Sequence, residues 1–469
     1  MRASFLVFAA AALPALALLP ERDARACGGY FGPPTETDDV VSDHRMVLSV
    51  SPQQTTLYDE IAYSGSPASF AWVLPIRGQV TIGVSANAIF DTFDSLTATV
   101  VSPPNVSCPA PPQGCPVDHN GGAESAGGGS SGGGGVNVTS AQVVGPYETV
   151  QLQSTDPTAL DSWLTTNGYA ITDAVKPIIA AYIAQGFDFL AMKLVPGQGV
   201  GAMRPVRVSF NGASPTLPLR MVAAGTGSSV GITLFIVGDG RWEPSNFPWF
   251  HVDDSELVWD YATSTSNFTA LEQQKEAAAG NATWEVEASI SEEVSGVQSI
   301  IQQTAEYGAS FNNSGSGGGP TDPGADGYLA VPASDTTPGQ TSDAVMQADL
   351  GALFTGISGV SFRLTRLRSD LAHGALVNDL QLQASADQSE LTNIRTAAGR
   401  VNGPVCPVYD GCTIVGSAPL GESTGAGSAA GCSTSAAVAT DWRATAGLAG
   451  VLGLVTLGGL RARRSRRKR

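Results

Sequence analysis

Residues that could carry chemistry are sparse in this chain, which has four histidines and six cysteines in 469 residues. The one run that joins a histidine to carboxylates contains His251, Asp253, Asp254 and Glu256. A metal site requires such groups to converge with further ligands from elsewhere in the chain. In an extended strand, alternate members of this run would face opposite ways, so we interpret it as a solvated acidic loop. No metal and no cofactor are predicted, and these four residues are the candidates if a metal does bind.

Residues 227–231 (Gly-Ser-Ser-Val-Gly) fit the G-x-S-x-G pattern of a nucleophile elbow. An elbow requires a strand before the serine and a helix after it. The apolar residues 232–237 that follow are typical of a strand, so the pattern predicts a hairpin turn rather than a nucleophile. A second match at 129–133 lies inside a glycine-rich run and follows from composition.

Residues 197–202 (Gly-Gln-Gly-Val-Gly-Ala) fit the loose dinucleotide-binding pattern. That pattern works only where a helix N-terminus faces the pyrophosphate. The residues that follow, 203–208, are expected to form a strand, so we interpret these glycines as turn residues. No catalytic residue is predicted.

Four cysteines form two closely spaced pairs, Cys108 with Cys115 and Cys406 with Cys412. Six and five residues separate the partners, whereas zinc sites prefer two to four. Turn-forming residues lie between the members of each pair. We therefore predict that each pair is a disulfide that clamps a short loop in an oxidising compartment.

The N-terminus has the three parts of a secretory signal peptide. Arg2 precedes a nearly uncharged apolar run over 3–19, and a small-residue tripeptide at 24–26 precedes Cys27. We predict that residues 1–26 form the signal peptide and that cleavage falls between Ala26 and Cys27. A retained anchor is the alternative interpretation, and lipoprotein processing at Cys27 is disfavoured because positions 24–25 make a poor lipobox.

The C-terminus has an uncharged run over 444–460 followed by seven basic residues within 461–469. Seventeen helical residues span about 25 Å, slightly less than the roughly 30 Å hydrocarbon core. The basic block stays cytoplasmic by the positive-inside rule, which leaves the preceding chain outside. The sequence thus predicts one C-terminal transmembrane helix, the membrane as a partner, and a body in the cell envelope or at the cell surface.

The body between these ends is strongly acidic. Removing 1–26 and 441–469 leaves 25 − 3 − 8 = 14 basic and 42 − 2 − 1 = 39 acidic residues, a net charge of −25. Such a body repels nucleic acid, so no nucleic-acid partner is predicted.

Within the body, the apolar residues recur mainly with a period of two. Strands are predicted at 55–63, 70–74, 187–195, 205–210 and 230–237. Helices are predicted at 155–168, at 177–185, at 268–279 with Asn267 as cap, and at 343–354 with Ser342 as cap. The predicted fold class is α+β, mostly antiparallel β with a few short helices.

The domain organisation follows from composition. A body over 27–400 carries two Gly/Ser-rich insertions, at 119–135 and 311–327. Residues 401–431 form a disulfide loop and a Gly/Ser/Ala stalk, and 432–469 form the tail with its membrane segment.

Several markers resemble a known bacterial secreted family, the domain of unknown function 2330 (DUF2330), over about 27–382. The markers are Ala-Cys-Gly-Gly-Tyr-Phe at 26–31, Tyr-x-Gly at 63–65, Phe-Ala-Trp-Val-Leu-Pro at 70–75, Gly-Pro-Tyr at 145–147, Trp-Leu-x-x-Asn-Gly-Tyr at 163–169, Leu-Thr-Arg-Leu at 364–367 and Asp-Leu at 379–380. The resemblance implies no activity, because the family has no assigned catalytic residues. Separately, Gly431-Cys432 with the apolar run and arginine cluster resembles the MYXO-CTERM sorting signal. That resemblance implies a sorting protease that processes the chain at Cys432 and leaves it on the cell surface.

Export, anchoring and acidity together favour a non-enzymatic binding or envelope module whose ligand is unknown. The alternative is an extracytoplasmic hydrolase or metal-dependent enzyme whose active-site residues are dispersed in the sequence. A cleft that gathers His251, Asp253 or Asp254 with other titratable residues would favour the enzyme.

Overall fold

The computed structural model describes residues 29–31, 40–64, 71–105, 108, 142–152, 162, 165–166, 171, 173, 175–195, 203–308, 327–331 and 338–420. Two β-sheets pack face to face within these residues, and helices cover the outer face of each sheet. The structure confirms a mostly β chain with antiparallel-rich sheets and few short helices.

The larger sheet has eight strands, numbered here in chain order. In spatial order they are β14 (Trp249–Phe250), β17 (Trp284–Glu293), β18 (Ser361–Ala372), β12 (Thr226–Gly238), β2 (Val40–Val50), β3 (Gln54–Ser64), β10 (Val206–Asn211) and β5 (Thr81–Val84). Strand β12 runs parallel to β2, and β14 runs parallel to β17, while the other neighbours are antiparallel. Both faces are buried at the centre, because Met46 and Leu48 face the second sheet and Val47 faces the helices.

The smaller sheet has five strands, all paired antiparallel. In spatial order they are β1 (Gly29–Phe31), β4 (Ala71–Ile76), β9 (Asp188–Leu194), β8 (Tyr147–Leu152) and β7 (Gln142–Val144). Every residue of β4 is buried, because Trp72 and Leu74 pack against the larger sheet while Ala71 and Val73 pack against the outer helices.

The helices within the described residues are short. They are α1 (Asn87–Thr97), α2 (Lys176–Ala184), α3 (Leu219–Val222), α4 (Phe268–Ala278), α5 (Val294–Tyr307) and α6 (Ser342–Leu353), with 3₁₀ turns at Asp254–Glu256 and His373–Ala375. Helices α1, α5 and α6 bury apolar side chains against the larger sheet, among them Phe93 against Phe235 with ring centroids 5.7 Å apart. Helices α2 and α3 cover the smaller sheet.

Four small sheets surround this framework. They pair β11 (Thr216–Leu217), β19 (Leu380–Ala384) and β13 (Trp242–Pro244); β16 (Thr265–Ser266), β15 (Val258–Asp260) and β21 (Gly399–Val401); β20 (Ile394–Thr396) and β6 (Val100–Ser102); and β22 (Val405–Asp410) and β23 (Thr413–Pro419). The first of these matters most for the candidate site, because Glu243 of β13 lines it and the segment that follows β19 forms its other wall.

Most predicted strands are confirmed within a few residues as β3, β4, β9, β10 and β12. The predicted helices at 177–185, 268–279 and 343–354 correspond to α2, α4 and α6. One cap assignment was wrong, and the other holds in position only, because Asn267 is the N-cap residue of α4 but makes no side-chain capping bond. The cap of α6 is Thr341, whose side chain accepts a hydrogen bond from the Ala344 amide, rather than Ser342. The side chain of Asn267 bonds Val258 and Glu256 instead of capping α4.

The prediction of a hairpin turn at 227–231 was also wrong. These residues lie inside β12, which extends from Thr226 to Gly238. The strand's pairing with β2 is irregular between Thr226 and Gly231, which accounts for the glycine-rich composition. Because Ser229 is followed by further strand and not by a helix, the nucleophile elbow is excluded.

The disulfide prediction paired the wrong cysteines. Cys108 is bonded to Cys406, with Cα atoms 5.4 Å apart and a sequence separation of 298, so Cys108–Cys115 and Cys406–Cys412 are not the pairs. Strands β6 and β20 pair in parallel, so the segments that follow them leave in the same direction and bring the two cysteines together. Cys412 is also disulfide-bonded.

Several predictions lie outside the described residues. These are the signal peptide with its cleavage site after Ala26, the helix over most of 155–168, the insertions at 119–135 and 311–327, the motif at 197–202, and the tail with Gly431, Cys432 and the 444–460 segment. None of the helices in the described ranges combines the length and apolarity that crossing a bilayer requires.

Candidate functional site

A cleft of about 320 Å³ opens beside β14, at the edge of the larger sheet. Small-molecule sites occupy roughly 300–1,000 Å³, so this cleft has room for a small ligand. Two stretches of chain line it: Arg241, Glu243, Trp249 and His251 from one, and Ser385, Ala386, Asp387, Ser389, Glu390 and Leu391 from the other.

Gln388 fastens these two stretches together. Its side-chain oxygen accepts a hydrogen bond from the Arg241 amide at 2.9 Å, and its side-chain nitrogen donates to the Arg241 carbonyl at 3.2 Å. The same nitrogen donates to the Ser385 carbonyl at 2.7 Å, which closes the 385–388 turn. Strand β13 adds a second connection, because Glu243 lies opposite Gln383 of β19. The backbone of Arg241 is therefore fixed from both sides.

Arg241 is the most unusual group of the cleft. Its side chain is 6% exposed, yet the buried Nε has no hydrogen-bond partner among the described residues. The nearest carboxylate oxygen belongs to Asp387 and lies 3.8 Å from Nη1, beyond hydrogen-bonding distance. The guanidinium carbon lies 6.0 Å from the centre of the Trp249 ring. A buried guanidinium with unused donors carries a large desolvation cost.

Three carboxylates share the lining with Arg241. One oxygen of Glu243 accepts from the Gln383 side chain at 3.3 Å, and one oxygen of Glu390 accepts from the Ser291 amide at 3.0 Å. Asp387 accepts from the Ser389 amide at 2.9 Å. These hydrogen bonds lower the pKa of Glu390 and of Asp387, so both are ionised at neutral pH.

The structure places the predicted His/carboxylate run partly at this cleft. His251 lines the cleft, and its Nε2 lies 3.2 Å from Asp253 Oδ1. Glu256 turns away, since it accepts from the Asp253 amide and pairs with Lys275 at 2.8 Å. Asp254 lies 3.8 Å from Arg395. The four residues therefore do not converge on one point as metal ligands, although His251 does meet other titratable groups.

A second polar site lies on the helix-covered face of the larger sheet. Carboxylate oxygens of Glu272 on α4 and of Glu285 and Glu287 on β17 all lie within 4.8 Å of one another. All three residues are buried. The pairing of β17 with β18 shifts register between Val286 and Ala288, so Glu287 is the extra residue of a β-bulge. Three oxygen ligands of this kind could hold a hard cation such as Ca²⁺ or Mg²⁺.

Arginines already occupy much of this second site. Arg366 contacts Glu287 through Nε, and Arg368 Nη1 lies 3.8 Å from Glu272. Oε1 of Glu285, by contrast, receives no hydrogen bond from any amide, guanidinium or hydroxyl donor in the described ranges. A cation here would compete directly with Arg366 and Arg368.

Protonation, rather than a bound cation, reduces the negative charge of this carboxylate cluster. Burial, and then the neighbouring Glu287 and Glu272, raise the pKa of Glu285 to about 9. Burial likewise raises the pKa of Glu272 to about 7. At neutral pH Glu285 therefore keeps its proton and donates a hydrogen bond to Glu272. The buried carboxyl groups of Glu285 and Glu272 thus join β17 to α4.

The charged network continues across the sheet to α1. Asp94 accepts from Arg366 at 2.6 Å with one oxygen and from Arg45 at 2.7 Å with the other. Arg45 also donates to Glu60 at 2.8 Å and to Asp91 at 2.8 Å. Helix α1 is thus tied to β2 and β18 by partly buried, charge-assisted hydrogen bonds.

Sequence reasoning missed both sites apart from His251. The alternation of Glu285 and Glu287 along β17 suggests a solvent-facing edge, whereas α4 covers it. One signal was available in Glu272 and Glu276, which lie one turn apart on α4 and are both buried. Nothing local to Arg241 marks it as a buried residue, because its neighbours in the cleft come from a segment more than 140 residues later.

The family model described as "Uncharacterized protein conserved in bacteria (DUF2330)" matches residues 22–293. This range contains 293 − 22 + 1 = 272 of the 469 residues, more than half of the chain. The chain belongs to the DUF2330 family. The DUF2330 match ends at Glu293, the last residue of β17, rather than near residue 382 as the sequence markers suggested. It includes Arg241, Glu243, Trp249 and His251 but not the 385–391 wall of the cleft.

No curated protein matches this chain. Among solved structures, the crystal structure of baculovirus P35 is similar at 11% identity and a TM-score of 0.26, over 44% of this chain and 66% of that chain. A likeness this weak supports no inference about fold or function.

Proposed function

We propose that this DUF2330 protein is an exported, membrane-held binding module that takes a small polar ligand in the cleft lined by Arg241 and Trp249. The single observation that carries the proposal is the buried guanidinium of Arg241, whose Nε lacks a hydrogen-bond partner among the described residues. A ligand oxyanion would supply the missing acceptor, and a planar guanidinium suits a carboxylate in particular.

The sequences of the two chain ends support an extracytoplasmic location for the cleft. A cleavable signal peptide over 1–26 and a basic stop-transfer block after 444–460 would leave the cleft outside the membrane. The disulfide between Cys108 and Cys406 is consistent with an oxidising space. We propose that the body is held at the envelope or cell surface through the tail, whose sorting signal would include Gly431 and Cys432.

A hydrolytic enzyme is the competing function, and the position of His251 favours it. This histidine stands in the cleft beside Asp253, as a general base and its orienting carboxylate would. A nucleophile in contact with His251 would complete the arrangement, but in the described residues neither Ser385 nor Ser389 bonds it. We therefore favour binding over catalysis.

The test uses the full-length protein purified in detergent and a defined panel of the twenty standard amino acids, simple carboxylates and simple amines. Ligand-observed NMR should detect binding of at least one panel member to the wild type and not to Arg241→Met. The matched control is Arg77→Met, because the Arg77 guanidinium lies over the Phe187 ring, 3.9 Å from its centroid and outside the cleft. Equal binding to wild type and Arg241→Met, or no binding by any panel member, would refute the proposal.

A further inference from the structure

The charges of the cleft constrain what it can bind. With His251 neutral, the lining has one arginine and three carboxylates, a net charge of 1 − 3 = −2. The whole chain is also acidic, at −17. A simple anion that reached Arg241 would meet repulsion from Glu243, Asp387 and Glu390. The ligand therefore needs a positive charge of its own.

The carboxylates are placed to receive that positive charge. Hydrogen bonds within the protein engage one oxygen of Glu243 and one of Glu390, as described above. Ser291 bonds Glu390 through its hydroxyl as well as its amide, whereas the second oxygen of Glu243 accepts no hydrogen bond from the described residues; both carboxylates line the cleft. An ammonium group carries three donors and suits such a set of separate oxygens.

The rest of the lining is partly apolar. Trp249, Ala386 and Leu391 contribute uncharged surface, and the Trp249 ring lies between the sheet core and the guanidinium of Arg241. A volume of about 320 Å³ is at the small end for ligand pockets. A compact ligand with an apolar side chain fits these walls.

We propose that the cleft binds a small zwitterion, a free α-amino acid with an apolar side chain. Its carboxylate bonds Arg241, its ammonium group bonds Glu243 and Glu390, and its side chain contacts Trp249 and Leu391. This inference rests on the proposed function, since it names the ligand class of the same cleft.

The test compares L-leucine with its two halves, 4-methylpentanoate and 3-methylbutylamine, by isothermal titration calorimetry on the full-length protein. L-leucine should bind at least tenfold more tightly than either half. Arg241→Met should abolish leucine binding, while Arg77→Met should leave it unchanged.

The variant Glu243→Gln tests the contact to the ligand's ammonium group separately from the contact to its carboxylate. It should weaken leucine binding about tenfold and should strengthen 4-methylpentanoate binding, because one repelling carboxylate is gone. The matched control is Glu148→Gln, since Glu148 pairs with Lys193 at 3.0 Å away from the cleft. Circular dichroism and a melting curve check that each variant is folded.

The outcomes distinguish the two proposals. If 4-methylpentanoate binds the wild type as tightly as leucine and binding is lost in Arg241→Met, the zwitterion is wrong and the proposed function stands. If 3-methylbutylamine binds as tightly as leucine, the zwitterion is likewise wrong. If all three compounds fail to bind while another member of the panel binds through Arg241, the apolar amino acid is the wrong ligand class. If no member of the panel binds, both proposals are wrong.

Discussion

Glu285 of β17 and Glu272 of α4 are two buried carboxyl groups whose oxygens lie within 4.8 Å of each other. Burial holds the pKa of Glu285 near 9, against an ordinary value of 4.5. The charged groups that face the pair come from three strands and the helix itself: Glu287, Arg368, Arg395 and Glu276. This relationship makes the docking of α4 dependent on pH.

Stability should fall as pH rises from about 4.5 to about 9. Over that range the folded protein retains the Glu285 proton and the unfolded chain does not. The free energy of unfolding therefore falls by about 1.4 kcal/mol for each pH unit. Glu272 adds a loss of the same sign up to about pH 7. Glu285→Gln can donate the same hydrogen bond without ionising, so it should flatten the dependence and raise stability at pH 9. Urea unfolding at pH 5, 7 and 9 measures this.

Glu287→Gln is the matched control for that experiment. It removes the anionic partner of the Arg366 Nε and should destabilise the protein by about 3–5 kcal/mol. Because the Glu287 charge also raises the pKa of Glu285, this variant should flatten the pH slope in part, and less than Glu285→Gln does. An unchanged pH slope in Glu285→Gln, or a slope that both variants flatten equally, would contradict the proton that buried Glu285 retains.

The second prediction concerns the disulfide. Non-reducing digestion and mass spectrometry of the exported protein should find the Cys108 peptide linked to the Cys406 peptide. The bond spans 298 residues, so a chain-entropy estimate for such a loop is on the order of 5 kcal/mol. Recovery of Cys108 linked to Cys115 would show that the pairing is local after all. The same map identifies the partner of Cys412.

The third prediction concerns the tail. The run at 444–460 is short and has five glycines, which makes it a marginal anchor on hydrophobicity alone. Cys432→Ala should therefore leave the chain unprocessed, with its C-terminal arginines still attached, as detected by mass analysis after fractionation. If the variant is processed and located like the wild type, the tail is a simple anchor. Cys432 could then pair with Cys27 instead.

The sheets were predictable from the sequence to the extent that their strands bury one or both faces. Strand β4 is continuously apolar and is buried on both faces as predicted. Strand β3 was predicted from its alternation, but the other face of the pattern, with Thr56, Tyr58 and Glu60, is buried as well. Helix α5 was missed, and so was α1, which lacks a side-chain cap. The pairing of β6 with β20 was not predictable, because nothing in either short strand specifies a partner nearly 300 residues away.

The candidate site was predictable only at His251. Arg241 stands out because it is buried and because its Nε lacks a hydrogen-bond partner among the described residues. Neither property can be read from the sequence. The wall at 385–391 reaches Arg241 through Gln388, a polar loop residue with no local pattern. Similarly, the alternation of β17 indicates which residues share a face, but the helix that covers Glu285 comes from tertiary packing.

The central claim is that Arg241 binds a ligand and does not stabilise the fold. Thermal melting of Arg241→Met tests this claim most directly. Without ligand, a methionine of similar shape removes a buried guanidinium whose Nε lacks a hydrogen bond, so the variant should melt at the same temperature as the wild type or higher. With L-leucine present, only the wild type should gain stability. A ligand-free variant that melts several degrees lower, or one that leucine stabilises as much as the wild type, would contradict the account.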